Sequence, residues 1–250
     1  MKELVAEIRK KKELSGVSTE VIKKSIINYV SKHNVALDKV NKKDKKLIIK
    51  EVRAELRLYT GRFQKGTDRR EEMLGSGNIR GLLESHVSTK ERVGIYPELK
   101  MLIKNLNVKS ILDLACGLNP IALAEKDIKY HACDIKEDEL EIIGKFFEKN
   151  GINGKVFVCD LREVDENLPE ADLCLLLKTF EVVDKMYAER ILKSLKCRYI
   201  IVSFPLQKIS GRRMKVPKRD WMDKILERLK YKFKIVEMEN EIFYVIEKSA

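Results

Sequence analysis

Apolar residues in the first hundred positions recur at helical spacing. Between Thr19 and Ser31 they fall at Val21, Ile22, Ile26, Tyr29 and Val30, one face of a helix with Ser18 placed to cap it. A Lys-rich link, Asn41 to Lys46, leads to a second helix. Its apolar face carries Leu47, Ile48, Val52, Leu56 and Tyr59, and its other face Lys50, Arg53 and Arg57. The glycine-containing stretch 61–81 reads as irregular or loosely helical. Ser88-Thr89-Lys90-Glu91 has the form of a capping box, with Ser88 starting a helix that runs to about Asn105. Pro97 falls inside that helix, where it is tolerated only at a kink or a break.

From Lys109 the period changes. Short apolar runs at Ser110–Leu114, Tyr130–Asp134, Lys155–Cys159, Leu173–Leu177 and Tyr199–Phe204 alternate with helical stretches such as Glu137–Lys149 and Met186–Leu195. This alternation predicts an α/β fold, a Rossmann-like parallel sheet covered by helices on both faces. Two last apolar runs, Phe233–Met238 and Ile242–Ile246, are joined by Glu239-Asn240-Glu241 and predict an antiparallel hairpin that closes the sheet.

Charge divides the chain in a similar place. Of 250 residues, 44% are hydrophobic and 36% charged, a Lys- and Glu-rich balance common in proteins from hot environments. The net charge is +12, of which residues 1–100 carry +10 and residues 101–250 only +2. A basic helical domain over 1–87 that grips a polyanion, joined to a catalytic domain over 88–250, explains this split. The other reading is a solvated Lys-rich surface. Lys42, Lys43, Lys45, Lys46, Arg53 and Arg57 are the candidate nucleic-acid contacts. The five cysteines form no C-x-x-C pair, so no zinc or other metal site is expected, and buried reduced thiols fit a cytoplasmic protein. No apolar run reaches membrane-spanning length and the start has no signal-peptide pattern, so a soluble protein is expected.

The candidate chemistry lies at the strand ends. The first strand runs into Asp113-Leu114-Ala115-Cys116-Gly117-Leu118-Asn119-Pro120, a strand–turn–helix in which Gly117 permits close backbone approach and Asn119 can cap the next helix. With a single glycine where dinucleotide binders have three, NAD(P) is disfavoured. Asp134, at the end of the second strand, fits hydrogen bonding to ribose hydroxyls. Asp160, at the end of the third, can accept from an adenine amino group while Leu161 packs on the ring. Three successive strands each ending near an aspartate point to a nucleoside-containing ligand; an ordinary βα turn is the alternative.

These stretches, together with Ser88-Thr89-Lys90-Glu91-Arg92, Leu175-Leu176-Leu177-Lys178-Thr179, Val202-Ser203-Phe204-Pro205 and Asn240-Glu241, come in a recognisable order. In that order and spacing the chain resembles the aminoglycoside-resistance family of small-subunit rRNA (guanine-N7) methyltransferases. The resemblance implies a class I methyltransferase fold using S-adenosyl-L-methionine and a helical domain that docks on the small ribosomal subunit. It implies that Arg92 binds the methionine carboxylate, so that its removal costs cofactor binding and leaves the fold intact. Asp113 and Gly117 then line the methionine side, Asp134 the ribose, and Asp160 and Leu161 the adenine. Lys178, Arg212 and Glu241 fall at positions near the target nucleotide. Ala115 stands where the family usually has glycine, and Ile209–Lys215 replaces a Gly-rich loop, which leaves the RNA target open. A housekeeping rRNA or tRNA modification is as compatible with these residues as drug resistance.

Guanine N7 carries an in-plane lone pair and no proton to lose, so its methylation needs no general base, only positioning. A base inside a duplex must be flipped out and stacked. Phe204 is the candidate platform, ahead of Phe180. Residues 1–87 are expected to contribute RNA affinity and little to the cofactor site. The rival readings are a tRNA guanine-N7 methyltransferase, a small-molecule methyltransferase, and a non-catalytic RNA-binding or ribosome-assembly protein that kept the fold.

Overall fold

The computed structural model of the chain describes residues 1–60, 67–164, 167–206 and 218–248. It opens with α1 (Lys2–Arg9), α2 (Thr19–Lys32) and α3 (Lys42–Thr60). Their apolar faces meet in one cluster that includes Leu4, Ile8, Ile22, Ile26, Val52 and Leu56. The α3 helix starts earlier than its apolar pattern. The Asn41 side chain accepts from the amides of Lys43 (2.8 Å) and Asp44 (3.0 Å), so the lysine link expected at 41–46 is the helix's first turn. Ser18 does precede α2, but its side chain makes no capping bond.

Next come α4 (Arg70–Ser76), α5 (Ile79–Glu84), α6 (Val87–Arg92) and α7 (Tyr96–Lys104). The expected capping box at Ser88 is not formed. The residue preceding α6 is His86, and Thr89 Oγ1 donates to the Leu83 and His86 carbonyls. The helix expected to reach Asn105 is broken between α6 and α7, with Pro97 in the first turn of the second piece. Leu74, Leu82 and Leu83 of α4 and α5 pack in the same cluster as the sheet, so the boundary expected at 87/88 falls inside one packed layer.

The sheet is formed by β1 (Ser110–Leu114), β2 (Lys129–Asp134), β3 (Gly154–Val158), β4 (Leu173–Leu177), β5 (Tyr199–Pro205), β6 (Lys232–Met238) and β7 (Glu241–Glu247), in the order β3-β2-β1-β4-β5-β7-β6. The pairs among β1 to β5 are parallel, and β7 runs antiparallel to both β5 and β6, as the apolar runs and the final hairpin predict. Alternate residues serve opposite faces. Leu173, Leu175 and Leu177 of β4 join the layer of α7, α8 (Asn119–Leu123) and α9 (Glu137–Asn150). Cys174 and Leu176 join that of α10 (Ala188–Ser194) and α11 (Asp220–Leu229). No described helix is long and apolar enough to cross a membrane.

Candidate functional site

Because β1 lies between β2 and β4, the chain leaves its carboxyl end in a crevice where the direction of strand order reverses. The turn there is held by the next strand. The Cys116 amide donates to the Cys133 carbonyl (3.0 Å) and the Gly117 amide to Asp134 Oδ2 (3.0 Å), while the Lys136 amide donates to Asp134 Oδ1 (3.2 Å). Gly117 has φ +50° and a Cβ there would stand 2.9 Å from the His86 ring, so backbone and packing both require glycine. Ala115, Gly117, Asp134, Asp160, Leu161 and Lys178 line the cleft. So do Tyr59 and Thr60 of α3 and His86, all inside the segment that was expected to contribute little here.

Behind the cleft lies a buried set of charges. Arg92 is fully enclosed; its Nη1 donates to Asn119 Oδ1 (2.9 Å) and its Nε lies 2.8 Å from Glu241 Oε1. Glu241 also accepts from Ser203 Oγ (2.7 Å) and lies 3.1 Å from Lys178 Nζ. Burial opposes its ionisation, but Arg92 and then Lys178 outweigh burial and hold the carboxyl below its usual range. Asp113 is buried and accepts from Tyr130 (2.9 Å); burial pushes its carboxyl up to about 8 against the pull of that bond and of Arg92. Burial, then the charge of Glu139, pushes Asp134 up to about 7, against the bond from the Gly117 amide. Arg92 Nη2 and Asp113 Oδ1 have no hydrogen-bond partner among the described residues.

Several expected roles change. Glu241 is no exposed hairpin residue but the enclosed counterion of Arg92 and Lys178. Asn119 does not cap α8; its side chain accepts from Arg92 and from Tyr96 Oη (2.9 Å). Phe204 offers no stacking face. It is fully buried, edge-to-face with Trp221 and Tyr244, and the Arg219 guanidinium covers the ring at 5.1 Å. Phe180 is a core aromatic against Trp221 as well. Arg212 lies outside the described residues. Lys178 takes a left-handed backbone (φ +58°) and reaches Glu91 as well as Glu241. Asp160 faces the cleft, but its carboxylate is gripped by Arg162 through Nε (2.9 and 3.0 Å).

On α3, Lys42, Lys43 and Lys46 are exposed and Lys45 pairs with Glu3 (2.8 Å). Arg57 pairs with Glu13, and Arg53 donates to the Glu7 carbonyl. Lys46, Arg53 and Arg57 line a groove with Lys50, which the sequence placed on the same basic face, and with Lys11, a cation missed by the sequence reading. That reading also missed His86, which burial keeps neutral by driving its pKa down to about 4 against the pull of Glu139. Behind His86, the Arg70–Glu139 pair is buried at 3.1 Å. No periodicity marks these residues, because their partners are distant in sequence. Among the described residues no cluster of His, Cys, Asp and Glu could hold a metal.

A family model described as "Ribosomal RNA methyltransferase (FmrO)" matches residues 54–245. The chain belongs to this family. The FmrO match begins within α3, so α1 and α2 lie outside it. A 16S rRNA (guanine(1405)-N(7))-methyltransferase of Serratia marcescens is 32% identical over 146 residues, 56% of this chain and 57% of that protein. The Micromonospora rosea protein of the same name is 28% identical over 183 residues, 68% and 65% of the two chains. The matches thus span about half to two thirds of the curated relatives' lengths. In fold, the chain is similar to the crystal structure of the 16S rRNA methyltransferase RmtF in complex with S-adenosyl-L-homocysteine. The TM-score is 0.82 at 22% identity, covering 99% of this chain and 98% of that one.

Ala115 keeps the left-handed backbone (φ +52°) at the position where the FmrO turn was expected to carry glycine. An L-residue there costs roughly 1–2 kcal/mol, part of which glycine returns as unfolded-chain entropy. Ala115→Gly is therefore expected to raise stability by about 0.5–1 kcal/mol in urea denaturation. An unchanged or lower midpoint would show that the turn carries no strain.

Proposed function

We propose that this chain transfers a methyl group from S-adenosyl-L-methionine to N7 of a guanine in small-subunit rRNA. The observation that carries the reading is the cleft at the strand-order reversal, with unpartnered buried polar atoms beside it in a chain of the FmrO family. Those atoms fit the cofactor. Arg92 Nη2 suits the methionine carboxylate and Asp113 Oδ1 its ammonium group. Asp134 keeps lone pairs for the ribose hydroxyls beyond its two backbone bonds. Leu161 forms an apolar wall suited to the adenine.

The cofactor, when bound, supplies an activated methyl group on a sulfonium. The chain's own residues bind and orient. Glu241 is committed to Arg92, Lys178 and Ser203, and the open lone pairs of Asp113 and Asp134 are assigned to the cofactor, which suits a reaction that removes no proton from the target atom. Lys178, on the cleft wall and anchored between Glu91 and Glu241, is the cation placed to face the target base. The basic groove and exposed lysines of α3 favour a polyanionic substrate.

Incubating the protein with small ribosomal subunits, free 16S rRNA and tRNA, then mapping modified nucleotides by mass spectrometry, tests the proposal. The expected product is 7-methylguanosine at one guanine of the small-subunit rRNA. Methylation of tRNA alone, of another base atom, or of nothing would overturn it.

A pH dependence follows. In the free protein Asp113 and Asp134 are raised toward or above neutrality, and the ligand's ammonium and hydroxyl groups favour their ionised forms. Affinity for S-adenosyl-L-homocysteine should therefore rise between about pH 6 and 8, with proton release on binding. Calorimetry in two buffers of different ionisation enthalpy checks this; a flat profile with no proton release would contradict the assigned contacts.

A further inference from the structure

Two acidic strand ends of the cleft are tied to the N-terminal helices. At the β2 end, Ser18 donates its amide to the Ile135 carbonyl (2.9 Å) and Glu137 donates to the Gly16 carbonyl (2.8 Å). These bonds flank Lys136, which bridges Val17, and they lie next to Asp134. Gly16 is confined there, because a Cβ would fall 2.0 Å from the Asp138 carboxyl. At the β3 end, the Arg162 side chain is only 9% exposed, and each of its three nitrogens has a partner. It grips Asp160 with Nε, reaches Glu55 of α3 with Nη1 and Ser25 of α2 with Nη2 (3.1 Å), and lies over the Tyr59 ring at 4.9 Å. Tyr59 and Thr60 then continue into the cleft wall beside Leu161.

We propose that the α1–α3 module is a working part of the cofactor site, and that Arg162 is the positioning residue that sets the affinity of its adenosine end. The physical reason is preorganisation. The Asp160 carboxylate and the Tyr59 wall come from segments distant in sequence, and a single guanidinium fixes both. Without that fork, Asp160 and α3 each regain freedom that ligand binding must then remove. A module that served only to hold RNA would not need its closing helix in the cofactor cleft. The inference rests on the cofactor assignment made above, and not on which RNA is methylated.

Calorimetric titration of the full chain with S-adenosyl-L-homocysteine tests it, using wild type, Arg162→Ala, Arg162→Lys and Glu55→Gln. Glu55→Gln removes the charge from the tie to α3 and leaves the Arg162–Asp160 grip in place. Losing a charge-assisted contact predicts a Kd about tenfold or more weaker for Arg162→Ala and several-fold weaker for Glu55→Gln. Arg162→Lys should recover only part, because lysine lacks the fork. Amide hydrogen exchange supplies a second readout, in which the ligand should slow exchange in α2 and α3 of wild type and much less in Glu55→Gln. A purely structural role would lower the melting temperature of the variants and leave Kd and the ligand-induced protection unchanged, and that result overturns the proposal. If Arg162→Ala does not fold, Glu55→Gln decides by the same criteria. Wild type that fails to bind S-adenosyl-L-homocysteine would instead overturn the cofactor assignment, and this inference with it.

Discussion

Arg92→Ala is expected to destabilise the cofactor-free protein by about 3–5 kcal/mol and to abolish measurable S-adenosyl-L-homocysteine binding. The sequence alone predicts the second effect without the first, since a binding arginine can be truncated without harm to the fold. Arg92 is instead fully enclosed, and its removal leaves Glu241 buried with only Lys178 and Ser203 to offset its charge. The Asn119 carbonyl also loses one of its two donors. Breaking a buried pair costs more than replacing both partners. The double change Arg92→Met with Glu241→Leu should therefore be more stable than Arg92→Ala, yet equally unable to bind. Urea denaturation and calorimetry measure the two effects separately. A single variant as stable as wild type would mean that Glu241 does not depend on Arg92.

Reversing Lys42, Lys43 and Lys46 to glutamate should weaken binding to a small-subunit rRNA fragment on the order of 100-fold at moderate salt. The slope of log affinity against log salt should fall by about three. These lysines are exposed at the start of α3, Lys42 and Lys43 in its first turn, where the helix dipole disfavours cations, and Lys46 just beyond it. Glutamate at Lys42 and Lys43 should stabilise the helix, by about 0.3–1 kcal/mol per residue at low salt. The variant is thus expected to melt no lower than wild type while losing RNA affinity, which separates the electrostatic effect from unfolding. Cofactor affinity should not change. Equal RNA affinity and salt slope in the two proteins would show that these lysines are only a solvated surface.

The sheet was legible because strands buried on both faces are continuous apolar runs, as in Leu173–Leu177, and because stretches of helical period separate them. The start of α3 was not, since a first turn of lysines has no apolar face and only the Asn41 bonds reveal it. At the site, Asp134 and Gly117 could be placed from strand ends and spacing. Glu241 and Arg162 could not be assigned their roles, because those depend on pairings across the fold. Glu241 meets Arg92 only when β7 is in register with β5, and Arg162 meets Glu55 only when α3 lies across the β3 end. Phe204 shows the converse error: its sequence neighbourhood suggested a substrate contact, but strand alternation turns it into the helical layer of α11.

The pairing of Arg92 with Glu241 has a consequence for synthesis. The arginine lies in α6, ahead of every strand, whereas its counterion is the first residue of the last strand. A chain emerging from its N-terminus therefore presents Arg92 long before its paired counterion, Glu241, is made. The helical cluster and the strands from β1 to β5 can assemble early, but desolvating the guanidinium is unfavourable until the closing hairpin arrives. The nascent chain is thus expected to hold this end of the cleft open and hydrated, and to gain cofactor affinity only once β7 has been made and paired.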